Sequence, residues 1–122
     1  MAELRNIANA YIAAWNAVDP AERATRIAAA FTETASYRDP LMAGDGHDGI
    51  AALIAGVQER FPGFRFTLKG EPDGFAEMIR FSWSLGPDGE EAPVEGTDIC
   101  VIEDGRLARV TGFLDKVPAQ QA

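Results

Sequence analysis

The chain has 122 residues, of which 47% are hydrophobic and 25% charged, and a formal net charge of −8. That length predicts one domain with one core, and the acidic balance argues against nucleic acid or an anionic membrane surface as a partner. Cys100 is the only cysteine, which excludes an intrachain disulfide and fits a reducing compartment. Glu3, Asn6 and Asn9 interrupt the N-terminal stretch, so neither a signal peptide nor a membrane span is expected, and a cytoplasmic location is.

Leu4, Ile7, Ala8, Tyr11, Ile12, Trp15 and Val18 recur at helical spacing and predict an amphipathic first helix. Asp19-Pro20-Ala21-Glu22 predicts the start of a second, with Asp19 as N-cap, Pro20 in the first turn and Glu22 reaching back as a capping-box partner. Ala24, Ile27, Ala28 and Phe31 form its apolar stripe. Thr32 to Arg38 reads as a short strand that puts Ala35, Tyr37 and Asp39 on one face. Ala43-Gly44-Asp45-Gly46 reads as a loop. Asp48 reads as the cap of a third helix that buries Ile50, Leu53, Ile54 and Val57 and ends at Phe61-Pro62-Gly63.

From there the apolar period falls from about 3.6 to 2. Phe64, Phe66 and Leu68 alternate with Arg65, Thr67 and Lys69; Ile79, Phe81, Trp83 and Leu85 alternate with Met78, Arg80, Ser82 and Ser84. Val94 to Ile102 is apolar on both faces, and Leu107, Val110, Gly112 and Leu114 mark a last strand. Turns are expected at Pro72-Asp73-Gly74, Gly86-Pro87-Asp88-Gly89 and Glu103-Asp104-Gly105, and a frayed tail from Pro118 to Ala122. The whole chain, residues 1–122 with a core at about 6–115, reads as a single domain. Helices ahead of hairpin strands predict an α+β fold, with one curved antiparallel sheet wrapped around the N-terminal helices to leave a cone-shaped pocket. The doubly apolar central strands need cover on their outer face, so a homodimer packed through the sheet is expected.

This pattern resembles the nuclear transport factor 2-like superfamily, also called SnoaL-like. The resemblance rests on the run from Tyr11 through Trp15 to Asn16, the segment Phe31 to Pro40, the helix entry at Gly46, Gly49 and Ile50, and Gly96-Thr97-Asp98 followed by Asp104-Gly105-Arg106. Site chemistry is most similar to ketosteroid isomerases. Their oxyanion-hole tyrosine, catalytic aspartate of an Asp-Pro pair and protonated aspartic acid fall at Tyr11, Asp39 and Asp98. That family is itself the standard case of a carboxylic acid kept neutral at pH 7. The resemblance therefore implies that Asp39 takes a proton beside a carbonyl while Tyr11 and Asp98 hold the enolate oxygen. Trp15 and Trp83 are bulky where the family has pocket wall, which leaves the substrate open. The histidine pair of scytalone-dehydratase-like relatives is missing. Gly96 stands where the limonene-epoxide-hydrolase-like arrangement wants an arginine.

Each site residue has a plain reading beside the chemical one. Asp98 shares a strand face with Val94, Gly96, Cys100 and Ile102, so its carboxyl is either a neutral donor or a satisfied buried acid. Asp39 is a base at the pocket mouth or the closure of an Asx turn before Pro40. Tyr11 is a pocket donor or a core tyrosine. Trp15, Tyr37, Leu53, Phe61, Ile79, Phe81, Trp83, Leu85, Cys100, Gly112 and Leu114 are pocket lining or simple core, and His47 is a rim residue or an ordinary loop residue. No His/Cys/Asp cluster has metal spacing and no glycine-rich phosphate loop occurs, so neither metal nor cofactor is expected. Three function classes remain: an acid–base enzyme (isomerase or polyketide-cyclase type) acting on a small hydrophobic molecule, a non-catalytic carrier of such a molecule, and an interaction module.

Overall fold

The computed structural model describes residues 2–118. In chain order it runs α1 (Ala2–Asn16), α2 (Pro20–Ala30), β1 (Phe31–Arg38), β2 (Ala43–Asp45), α3 (Gly46–Arg60), β3 (Arg65–Phe75), β4 (Met78–Gly86), β5 (Val94–Glu103) and β6 (Arg106–Lys116). The six strands form one curved, open sheet in the order β2-β1-β6-β5-β4-β3. This is the expected α+β architecture with one correction: the sheet is mixed, because β1 runs parallel to β6. A hairpin cannot make a parallel pair. Here α3 and the β3–β5 meander supply the long connection that brings β6 back beside β1.

Local departures from the sequence expectations have identifiable causes. Asp19 caps α2 from an extended backbone, its carboxylate accepting the Glu22 N–H at 2.9 Å. That sharp entry leaves Val18 outside α1 and 74% exposed. Glu22 pairs with Arg26 one turn on instead of reaching back. Phe31 belongs to β1, where it is fully buried. Ala43–Asp45 is a strand, paired with Ser36–Arg38; three residues are too few to show alternation. Gly46, at φ +71, turns the chain directly from β2 into α3, so the cap position falls to Asp45 and Asp48 lies in the first turn. Pro72-Asp73-Gly74 lies inside β3, which absorbs an irregularity between Lys69 and Asp73, and the chain reverses at Ala76 and Glu77 instead. Of the expected tail, residues 119–122 lie outside the described residues.

The core lies between α1 and the inner face of the sheet. Tyr11 meets Phe81 edge-on at 5.0 Å and Phe31 at 5.8 Å, while Trp15 packs on Phe66 at 5.3 Å and Tyr37 at 5.6 Å. Each such buried aromatic contributes about 2–3 kcal/mol of transfer free energy. Asn16 ties the end of α1 to β3, donating to the Phe66 carbonyl at 2.9 Å and accepting the Phe66 N–H at 2.8 Å. Gln58 of α3 donates to the Trp15 and Ala17 carbonyls. Arg106 closes the α2–β1 junction by donating to the carbonyls of Ala28 and Phe31. On the outer face, Ser82, Thr97 and Asp115 form a hydrogen-bonded row beside half-buried Ile99 and Val101 and exposed Phe113. No helix among the described residues is long and apolar enough to cross a membrane.

Candidate active site

Strand alternation in β5 turns Val94, Gly96, Asp98 and Cys100 inward, and Asp98 is 0% exposed. Its register partners are Phe81 on β4 and Gly112 on β6. The Trp83 indole N–H donates to Asp98 Oδ2 at 3.1 Å. Oδ1 is buried and has no hydrogen-bond partner. The Tyr11 hydroxyl faces this carboxyl closely enough to affect its ionisation, although no well-aligned hydrogen bond joins them. Burial pushes the Asp98 pKa up to about 7, and the charges of Asp39 and Asp115 push the same way; the Tyr11 hydroxyl and the Trp83 N–H oppose them. Near neutral pH, this acid is therefore poised between its two forms. A proton on Oδ1 would convert an unpartnered acceptor into a donor.

Asp39 stands just beyond β1, half-buried. Its Oδ1 accepts the N–H groups of Leu41 (2.8 Å) and Met42 (2.9 Å), and its Oδ2 accepts the Tyr37 hydroxyl at 2.6 Å. The Asx turn is thus real, and it aims the carboxylate inward at the same time. Burial first, then the Asp98 charge and the bond to Asp39, raise the Tyr37 pKa far above the usual phenol range. Burial and Asp98 do the same to Tyr11, so both hydroxyls stay protonated.

Gly112 explains how these groups come together. A Cβ on that residue would lie 2.8 Å from Asp98 Oδ1, 3.2 Å from Asp39 Cβ and 3.6 Å from the Tyr37 hydroxyl. Two acids and a phenol converge over a backbone position where any side chain would push them apart.

Beside this cluster is a cavity of about 80 Å³. Of the predicted residues, Tyr11, Trp15, Tyr37, Asp39, Phe61, Trp83, Leu85 and Leu114 line it. Asp98 lies one layer behind the wall. Gly112 is the floor of the cluster. Phe81 backs Tyr11, and Cys100 is a core residue opposite Ile79 and Val110, with its thiol pKa raised by burial. Leu53 packs α3 onto Gly44 of β2. His47 donates from Nε2 to the Phe31 carbonyl at 3.1 Å, away from the cavity. Sequence reasoning passed over Leu41, Met42, Val57, Phe66 and Val94 as lining. Phe66 and Val57 carried a signal only as core. Leu41 and Met42 follow the Asp-Pro pair, and only the turn makes them a mouth. Among the described residues no group of three or more His, Cys, Asp or Glu could hold a metal.

An open curved sheet with α1 on its inner face and a phenol–carboxyl cluster beside a small, mostly apolar cavity defines a class of small α+β proteins. The chain belongs to the SnoaL-like domain family, whose profile matches residues 8–110. It is similar to the crystal structure of a SnoaL-like family protein from Agrobacterium tumefaciens, described as a candidate isomerase. The two share 42% identity with a TM-score of 0.88, over 94% of this chain and 99% of that one. A candidate ketosteroid isomerase from Kribbella flavida matches at 19% identity and TM-score 0.69, over 98% of this chain and 83% of its own. A candidate polyketide cyclase from Sinorhizobium meliloti also matches at 19% and 0.69, over 88% and 93%. At that identity the last two show the fold alone. No curated protein matches the sequence.

Proposed function

We propose that the protein is a cofactor-independent acid–base enzyme acting on a small hydrophobic carbonyl compound. Asp39 removes a proton from the carbon next to the carbonyl, and Tyr11 donates to the oxygen as enolate charge develops. Asp98 stands behind Tyr11 and limits the charge near that oxygen by holding a proton. Return of the proton to another carbon completes an isomerisation; capture of the enolate by a second carbonyl in the same molecule would give a cyclase instead. The observation that carries this reading is the convergence of Asp39, Tyr37 and Asp98 over Gly112, with Asp39 and Tyr37 on the cavity wall and Asp98 just behind it. The candidate-isomerase description of the 42% identical Agrobacterium tumefaciens protein supports it. A homodimer packed through the outer sheet face is part of the proposal, and light scattering checks it by mass.

One observation favours a second reading. Both oxygens of Asp39 are already hydrogen-bonded, as in a purely structural turn, which suits a carrier that binds without reacting. Deuterium exchange into a panel of small enolisable ketones, followed by NMR, separates the two. The enzyme reading expects exchange that falls by about 10²–10⁴-fold in Asp39→Asn, with the fold intact by circular dichroism. Ketones that bind but exchange no faster than in the variant would leave the carrier.

A further inference from the structure

Trp83 has two attachments that its position on β4 does not require. Its ring sits against Gly96, the residue opposite it on β5: a Cβ there would be 2.3 Å and 2.7 Å from two indole carbons and 2.8 Å from the Phe113 carbonyl oxygen. The ring can occupy that place only because position 96 has no side chain. From there the indole N–H reaches Asp98 Oδ2 at 3.1 Å, two residues along β5. The same ring packs edge-on against Phe66 at 5.3 Å, which in turn meets Trp15 at 5.3 Å, so three aromatic rings form one wall of the cavity.

We infer that Trp83, seated on Gly96, both positions Asp98 and sets substrate size, restricting the site to compact neutral ketones and phenols of a single ring. This inference rests on the proposed reading of the cavity as a carbonyl-binding site. A cavity of about 150 Å³ takes one benzene ring, and this one measures about 80 Å³. A single ring therefore enters only with some yielding of the walls. The mouth can supply it, since Leu41 lines the cavity yet is 79% exposed. The indole wall cannot, because it is pinned by Gly96 below and Asp98 at its edge. A fused-ring ligand would have to dislodge the indole and strip the buried acid of its one well-formed hydrogen bond. Asp39 is the one charged group in the lining, and the proposed reaction uses it as the base; Trp15, Phe61, Leu85, Val94 and Leu114 offer nothing to pair with an ion, so the ligand is neutral.

The test uses phenol and 2-naphthol as probes, with affinity by calorimetry, and the Asp98 carboxyl titration by carbon NMR. Wild type is expected to bind phenol about tenfold or more tighter than 2-naphthol, and Trp83→Leu to reverse that preference. Trp83→Phe keeps a ring over Gly96, so it should retain the size preference. It lacks the N–H, so its Asp98 titration midpoint should move up. The other titratable groups around Asp98 are Tyr11 on α1, Tyr37 and Asp39 on and just after β1, Cys100 on β5 and Asp115 on β6, and all are unchanged in that variant. Equal affinity of wild type for both probes overturns the size claim. An unmoved Asp98 midpoint in Trp83→Phe overturns the positioning claim. If neither probe binds any variant, the carbonyl-site reading falls and takes this inference with it. If the probes discriminate as expected but no ketone exchanges its proton, only the catalytic reading falls.

Discussion

Replacing Asp98 with Asn should remove a specific slope from the protein's stability profile. In the unfolded chain this carboxyl titrates near 3.8; in the folded protein burial raises it to about 7. Between those values the folded state holds a proton that the unfolded state has released. The stabilisation from that bound proton is full below about pH 4 and is lost as pH rises through about 7. A gap of that width corresponds to about 4 kcal/mol, a large share of the total stability expected for a domain of this size. Asn keeps an oxygen for the Trp83 N–H and does not titrate. Urea denaturation of both proteins at pH 4 and pH 8 measures the effect, and comparison with the variant cancels the contributions of carboxyls that do not interact with Asp98, which leaves Asp39 and Asp115 as the coupled ones. The wild type should lose about 4 kcal/mol relative to Asp98→Asn between the two pH values, with the variant at least as stable at pH 8. A stability difference that stays constant across that range would refute the claim that Asp98 is a dry acid.

Two further substitutions probe how the site is held. Gly112→Ala places a methyl group 2.8 Å from Asp98 Oδ1, so the carboxyl must move; a loss of about 1–3 kcal/mol in urea denaturation is expected, together with a displaced Asp98 titration in NMR. Asn16→Ala strips the Phe66 N–H and carbonyl of their partners at the seam between α1 and β3. The expected cost is about 2 kcal/mol by thermal or chemical denaturation, and a neutral result would show that water replaces the amide there.

Much of the fold was legible because burial patterns are periodic. The α1 stripe, the Asp19 cap and the inward row of Val94, Gly96, Asp98 and Cys100 all follow from spacing and residue type, and the structure reproduces them. Failures fell where local signals were short or ambiguous. Three residues of β2 show no alternation, and Pro72-Asp73-Gly74 has turn chemistry but is held in β3 by pairing with β4. Val18 continued the α1 period by coincidence, and the cap on α2 overruled it.

The sequence by itself determined that two acids and a tyrosine sit on apolar faces, because alternation and helical period are local properties of the chain. It also marked Gly96 and Gly112, though not why they are glycines. Only the tertiary structure decided that Gly96 is the seat of the Trp83 indole and that Gly112 is the gap in which Asp98, Asp39 and Tyr37 meet. It likewise placed Asp98 behind the cavity wall and Tyr37 on the base. Those outcomes depend on cross-strand register and on the parallel pairing of β1 with β6, which join residues far apart in sequence and leave no local trace in it.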